Sequence, residues 1–481
     1  MDDKLAKLPR GWVWTEIGNI GEIITGTTPS KSINEYYGKD FPFYKPTDLN
    51  EGYYVRKSED GLSKKGINKG RLLPAKSILV TCIGATIGKT GFIRKAGASN
   101  QQINAIIPKR GVVPEYIFFS CISPQIQKSI INNASSTTLP ILNKTKFEKL
   151  SIPIPPFPEQ NRIVFKIEEL FTKLGAGVEA LKKVKAQLKR YRQAVLKYAF
   201  EGKLTQEWRE ANKDKLEPAS ALLEKIKEER RNNAKGKLRE FSPLNTSGLS
   251  ELPKEWAWTR LGEISLIILG QSPPSSTYNE NGEGLPFYQG KLEFGEIYPV
   301  PQKWCSSPKK IAEKGDVLIS VRAPVGPTNI CPGKSCIGRG LAALRGMGGI
   351  SPFFILYLIR AFENNIAQKG TGTTFNAITG DQLNEFRIPL PSLIEQNKIV
   401  ENIESCFSIA HEVEKIAEQT LKQSERLRQS ILKTAFEGKL VPQNSTDEPA
   451  EKLLERIKAE KAKKESETKG RRKKSNQMEP K

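Results

Sequence analysis

Three short stretches of this chain carry residue types and spacings that could do chemistry. The first is ILVTCIGATIGKTG at 78–91, an apolar run that leads into glycines and then Gly88-Lys89-Thr90, the ending of a phosphate-binding loop. Such a loop cradles phosphates with backbone N–H groups and a helix N-terminus, so it needs four residues between its glycines and a helix behind it. Here Gly84 and Gly88 enclose three residues, and the chain continues as GFIRKAGAS, which reads as a strand and a turn with Lys89 exposed. The second stretch, IPPF at 154–157, echoes the N-P-P-F signature of DNA amino-methyltransferases. There the first residue accepts hydrogen bonds from the target amine, which Ile154 cannot do, and no glycine-rich loop for S-adenosylmethionine accompanies it. The third, Glu201-Gly202-Lys203 and again Glu437-Gly438-Lys439, has the E-x-K spacing of metal-dependent nucleases. It lacks the preceding Pro-Asp and closes a helical pattern both times, so a helix-terminating glycine accounts for it.

The rest of the composition removes further chemistry. The chain has one histidine, His411, inside a helical pattern, which leaves a histidine base, a Ser-His pair or a histidine metal cluster almost nothing to work with. Its six cysteines (Cys82, Cys121, Cys305, Cys331, Cys336, Cys406) form no C-x-x-C pair and read as small buried thiols. Lys and Arg number 76 against 53 acidic residues, a net charge of +23 that points to a polyanionic partner, above all nucleic acid. Part of that surplus is a local run, KAKKESETKGRRKK at 461–474, whose composition predicts a disordered tail. A length of 481 residues is room for two or more domains. Apolar runs such as SPFFILYLI at 351–359 are too short to cross a bilayer, and MDDKLAKLPRGW at the start lacks the apolar centre of a signal peptide. A cytoplasmic location is expected, with no membrane contact.

The elements that would position any site are written twice. LPRGWVWTEIGNIGEIITGTTPS at 8–30 returns as LPKEWAWTRLGEISLIILGQSPPS at 252–275, and FPFYK at 41–45 as LPFYQ at 285–289. IPIPPFPEQNRIV at 152–164 returns as IPLPSLIEQNKIV at 388–400, and KYAFEGKL at 197–204 as KTAFEGKL at 433–440. EPASALLEKIKEER at 217–230 is echoed by EPAEKLLERIKAEK at 448–461. The order is A–B–A′–B′. We divide it as 1–151 (A), 152–245 (B), 246–387 (A′), 388–460 (B′) and a basic tail at 461–481. A and A′ share a framework only, while B and B′ match closely, so the first pair reads as one scaffold with two surfaces and the second as one docking surface used twice. The phosphate-loop idea fails here too, because the second copy, VLISVRAPVGPTN at 317–329, has no Lys-Thr after its glycine.

B and B′ carry helical stripes. Leu174, Val178, Leu181, Val184, Leu188, Tyr191, Val195 and Tyr198 follow steps of three and four, a coiled-coil spacing that Gly202 closes. The second stripe includes Ile403, Ala410, Val413, Ala417, Ser424, Leu427 and Ile431. One stripe is large and the other smaller, which suits close packing. At ~1.5 Å per residue each helix makes a rod of roughly 60 Å. Pairing antiparallel, the two rods would hold A and A′ at a set separation.

The A–B–A′–B′ order, IPPFPEQNRIV with IPLPSLIEQNKIV, and the doubled AFEGKL resemble the specificity subunit of Type I restriction–modification systems, over all of the chain but its tail. The resemblance implies a mixed α/β fold: two similar target-recognition domains, each followed by a long helix, with the helices paired as an antiparallel coiled-coil spacer. It implies that A and A′ each read half of a split, asymmetric site in double-stranded DNA. The helical regions would bind two methyltransferase subunits, and restriction/motor subunits would join the full complex. The chain itself would be non-catalytic and bind no cofactor, with S-adenosylmethionine, ATP and Mg²⁺ held by partners. Readings from other classes are a P-loop ATPase or fused methyltransferase–nuclease, and a helical scaffold without DNA readout.

On that footing the candidate DNA contacts in A are Thr27, Tyr44, Lys45, Lys64, Lys65, Lys69 and Lys89, with Gln101 and Gln102 as adenine readers. In A′ they are Tyr288, Gln289, Lys291, Arg322, Arg339 and Thr373, with Arg322 and Arg339 suited to guanine. Gln101 and Arg339 stand at about the same place in the two copies. No residue is a candidate for catalysis or for holding a metal.

Overall fold

The computed structural model describes residues 7–50, 53–135, 139–233, 239–370 and 377–476. The chain divides into two compact units, one of residues 1–181 with 419–481 and one of residues 182–418. Each unit therefore unites a whole α/β domain with pieces of both helical repeats.

In the first unit an antiparallel sheet runs in the order Gly21–Thr25, Ile103–Pro108, Ile78–Thr81, Thr90–Ile93, with Tyr54–Val55 added in parallel at the edge. In the second unit Ser265–Leu269, Leu341–Gly346, Val317–Ser320 and Thr328–Ile330 repeat that order. A second small sheet in each unit rests on a parallel pair, Tyr44 opposite Ser99 in one and Tyr288 opposite Ile337 in the other. A third, two-stranded ribbon joins Val13–Glu16 to Ser151–Ile154, and Ala257–Arg260 to Arg387–Leu390. The divisions at 151/152 and 387/388 thus fall at or inside strands of the α/β domains.

The ribbon leads directly into a long helix, Phe157–Phe200 in the first repeat and Leu393–Phe436 in the second, each of 44 residues. The repeated Glu-Gln at each helix start now has a physical account. Trp12 Nε1 donates to Glu159 Oε1 at 3.1 Å, and Trp256 Nε1 donates to Glu395 Oε2 at 2.8 Å. The next residue folds back on its own turn, Gln160 Nε2 donating to the Pro155 carbonyl and Gln396 Nε2 to that of Pro391. The doubled AFEGKL has a matching role at the other end. Gly202 and Gly438 end their helices with φ of 73° and 70°, a left-handed conformation that favours glycine. A Cβ on Gly202 would meet Pro253 at 2.4 Å, and one on Gly438 would meet Pro9 at 2.3 Å, so each glycine also allows close contact with the LP dipeptide opening a domain. The first helix therefore begins on the domain that precedes it and ends on the domain that follows. The second helix begins on A′ and ends back on A.

Within each unit the start of one long helix packs beside the end of the other, which makes the pair antiparallel. The second helix buries Ile403, Ala410, Ala417, Ser424 and Ile431, spaced by seven, and the small residues among them allow close approach. In the unit of residues 182–418 this seam is flanked by Lys185–Glu418 at 2.6 Å and Arg192–Glu414 at 2.9 Å. In the other unit the Arg428 guanidinium lies over the Phe171 ring at 5.2 Å. Val413, Leu427, Tyr191 and Tyr198, which the stripe reading placed in the seam, are exposed. The half-buried positions of the seam come four residues after each buried one, not three, which takes Glu414 and Arg428 inward instead.

The tail differs from expectation as well. Ala450–Asn476 is one helix, anchored by buried Ala450, Leu453 and Ile457. Ala, Glu and Lys are strong helix formers, so a helix started on that apolar face carries on through a basic run. Residues 477–481 of the expected tail lie outside the described residues.

The two Glu–Trp links differ in their surroundings. Glu395 is fully buried and also accepts from Thr205 Oγ1 at 2.7 Å and Arg209 Nε at 2.9 Å. Burial pushes the Glu159 carboxyl above the usual range, against the lowering pull of Trp12 and Arg162, and the nearby Asp447 adds to the rise. A raised folded-state pKa means that the folded unit binds more protons than the unfolded chain, so this group withdraws stability as pH rises through that pKa. We therefore expect Glu159→Gln to leave its unit as stable or more stable at neutral pH, with a weaker fall as pH rises out of the usual carboxylate range. Glu395→Gln should cost on the order of 3–5 kcal/mol, because Arg209 stays buried without its counter-charge. Hydrogen exchange read separately over the two units checks this, and equal destabilisation by the two variants would refute it.

Candidate nucleic-acid interface

The equivalent edges of the two domains are built by the same backbone contacts. In the first unit Gly26 follows strand Gly21–Thr25, and a Cβ on it would lie 2.1 Å from the Asn100 carbonyl oxygen. Gly270 is its counterpart, with the Gly338 carbonyl oxygen at 2.1 Å. These glycines let one loop lie against a second. Thr27 N donates to the Ser99 carbonyl at 2.9 Å, and Gln271 N to the Ile337 carbonyl at 3.0 Å. Asn100 N donates to the Tyr44 carbonyl at 3.1 Å, and Gly338 N to the Tyr288 carbonyl at 2.8 Å. The Tyr37 hydroxyl holds the Pro29 carbonyl and the Tyr278 hydroxyl that of Pro273, both at 2.7 Å. Residues 99–102 and 337–340 thus occupy one place on one scaffold, and Gln101 corresponds to Arg339.

The side chains on this shared frame differ. Thr27 corresponds to Gln271, Thr28 to Ser272, Lys45 to Gln289, and Gln101 to Arg339. Gln101, Gln289, Lys291, Arg322 and Arg339 are exposed, while Thr27, Lys45 and Gln102 are half-buried. Val321 N donates to the Gly340 carbonyl at 2.9 Å, which brings Arg322 to the Arg339 edge. The matching contact in the first unit runs from Cys82 N to the Gln102 carbonyl at 2.7 Å, so the counterpart of Arg322 is Ile83. Lys89 lies half-buried in the turn between strands Ile78–Thr81 and Thr90–Ile93. That hairpin, with Gly84 and Gly88 at positive φ, is what the phosphate-loop sequence folds into, and no helix follows it.

Several expected contacts are placed elsewhere. Tyr44 and Tyr288 are 3% and 1% exposed, so they are core residues, not DNA contacts. Their rings alternate inward on short strands, and their carbonyls hold the edge loop. Burial pushes the Tyr44 hydroxyl up to about 12, with Asp48 adding to the rise. Lys45 is ion-paired with Asp60, and Lys65 with Glu35 at 2.7 Å. Lys64 and Lys69 are exposed at and just beyond the short helix Lys64–Ile67. Thr373 lies outside the described residues.

Four residues at this edge were missed by the sequence reading. Thr28 Oγ1 donates to Gln101 Oε1 at 2.5 Å, and Ser272 Oγ accepts from Arg339 N at 3.2 Å. Exposed Arg71 donates to the Thr25 carbonyl at 2.8 Å, next to the loop. Exposed Lys310 is bound through its carbonyl to Ile337 N at 3.0 Å, which puts a positive charge beside the second loop. The pair Thr28 and Ser272 was legible as one aligned column with two hydroxyl residues, whereas Arg71 and Lys310 fall outside the stretches that align by eye. Among the described residues no group of three His, Cys, Asp or Glu side chains is placed to hold a metal ion, and no helix is long and apolar enough to cross a membrane.

The sequence family described as Type I restriction modification DNA specificity domain matches residues 9–190 and 253–423. The specificity subunit of the Type I restriction enzyme EcoKI from Escherichia coli K12 is 26% identical over 489 residues, covering 95% of this chain and 97% of that protein. A chain from a structure of complex assembly and conformational transition in the type I R-M system superposes with a TM-score of 0.70 at 29% identity, covering 90% of this chain and all of that one. The HsdS subunit from Thermoanaerobacter tengcongensis gives a TM-score of 0.57 at 28% identity over 91% of this chain. Two domain matches in tandem, each spanning one α/β domain and most of its long helix, mean that this chain belongs to the family of Type I restriction–modification DNA specificity subunits, a non-catalytic class whose task is to select the DNA sequence.

Proposed function

We propose that the two units read two unlike halves of a split site in double-stranded DNA, through the edges that carry Gln101 and Arg339. The observation behind this is the pairing of one backbone scaffold with different exposed side chains at matched positions. A shared frame docks on the duplex in the same way twice, and different side chains then prefer different bases. Charge supports the same reading: Arg71 and Lys310 stand beside the two loops, basic in both copies, as phosphate contacts would be. The two helical regions, which share their end motifs, each dock one methyltransferase subunit, and restriction/motor subunits complete the assembly. S-adenosylmethionine, ATP and Mg²⁺ are held by those partners, and the complex works in the cytoplasm.

The test uses this chain assembled with its methyltransferase partner. Binding to its selected duplex should weaken linearly in log–log form as salt rises. Arg71→Ala and Lys310→Ala should each reduce that slope by about 1 and weaken binding to all sequences alike, with the preferred bases unchanged. Salt-insensitive association, or association without any sequence preference, would mean a helical scaffold and not a reader. A change of preferred base in either variant would remove that residue from the phosphate-contact role.

A further inference from the structure

We infer that Gln101 is the adenine reader of the first unit and Arg339 the guanine reader of the second, each positioned by the hydroxyl residue of the facing loop, Thr28 or Ser272. This rests on the proposal that these edges face DNA, and it assigns single side chains within them.

The first unit offers two adjacent glutamines, and their hydrogen bonds separate them. Gln102 is half-buried; its Oε1 accepts from Asn100 Nδ2 at 2.9 Å, and its backbone N donates to Asn100 Oδ1 at 3.2 Å. Gln102 is thereby tied into the loop. Gln101 is exposed, and its Oε1 accepts the Thr28 hydroxyl. Adenine shows an acceptor (N7) and a donor (the N6 amine) in the major groove, and a glutamine amide can meet both. The Thr28 proton takes one lone pair of Oε1. A second lone pair remains for the N6 amine, and both Nε2 protons remain for N7. Holding the amide in one orientation before contact reduces the rotamer freedom lost on binding.

Arg339 sits on the same place with a different fixation. Ser272 takes its backbone N–H and leaves the guanidinium uncommitted among the described residues. Glycines flank it: a Cβ on Gly340 would meet the Gln289 carbonyl oxygen at 2.2 Å, and one on Gly338 would meet Gln289 Cα at 3.3 Å. The loop is thus pressed flat on the Gln289 backbone and presents one long side chain. A guanidinium fork matches guanine O6 and N7 in bidentate fashion. In neither unit is the reader buried in the fold, so exchanging it should not disturb packing.

The experiment selects duplexes from a random pool with the assembled methyltransferase complex, using the unaltered chain and its variants. Gln101→Ala should flatten the preference at one position of one half-site, lowering discrimination there by roughly 5- to 150-fold, with the other half-site unchanged. Gln101→Arg should move that position from adenine to guanine. Thr28→Val should weaken the preference by a few-fold without changing the base, and Gln102→Ala should leave it in place. Arg339→Ala should flatten one guanine position in the other half-site only, while Arg339→Lys keeps part of the preference. If Gln101→Ala leaves every position as selective as before, or the flattened position follows Gln102, the assignment is wrong while the reader role of the unit stands. If the unaltered complex selects no split motif at all, the reading of these edges as DNA-facing fails first. Loss of both half-sites together in a single exchange would likewise overturn the assignment.

Discussion

The architecture depends on how the two ends of each long helix are sealed. At its start a buried glutamate receives the indole N–H of the domain's first tryptophan, Trp12 for Glu159 and Trp256 for Glu395. At its end a glycine in the left-handed conformation lies against a proline that opens a domain, Gly202 on Pro253 and Gly438 on Pro9. The first seal joins a helix to the domain before it, and the second joins it to the next domain in a closed order. Each compact unit then needs segments far apart in sequence, which is why residues 419–481 complete the unit that begins at the N-terminus. The residues that make the two seals, Glu159 and Gly202 in one helical region and Glu395 and Gly438 in the other, fall in the motifs that the two copies share.

The α/β domains are under a different constraint. Their frame must be kept, since Gly26 and Gly270 allow the close approach of two loops and the buried Tyr44 and Tyr288 supply the carbonyls that hold them. Side chains projecting from that frame carry no packing duty, so Gln101 and Arg339 can differ without cost to the fold. A stable frame with free positions is what a reader of changing DNA sequences needs, and the basic surplus of the chain supplies the sequence-independent attraction.

Much of this was legible before any coordinates. The doubled Trp, Glu-Gln and Glu-Gly-Lys motifs are visible because they serve the seals, and seals tolerate few residue types. The false phosphate loop could be rejected on spacing, and it folds as a hairpin. Other features were hidden for physical reasons. A tyrosine beside a lysine in a strand reads equally well as surface or core, and only the sheet decides that Tyr44 points inward. Val413 and Leu427 look like seam residues, yet the second seam position of each repeat comes four residues after the first and falls on Glu414 and Arg428, where long side chains bury their stems and keep their charges at the rim. A basic run with strong helix formers reads as disorder when its apolar anchor, Ala450 to Ile457, is not counted with it. Among the proposed reading residues, Gln101 and Arg339 stand out by alignment, while the carbonyl bond that puts Arg71 at the same edge leaves no trace in the sequence.

The central claim is that one scaffold, used twice with different surfaces, selects two unlike half-sites. The most direct test is a map of N6-methyladenine across the genome of a host that otherwise lacks it, expressing this chain with its methyltransferase partner. A single split motif, with two different half-sites at one constant gap, is the predicted result. A continuous motif, two identical half-sites, or no new methylation from a soluble and associated complex would contradict it.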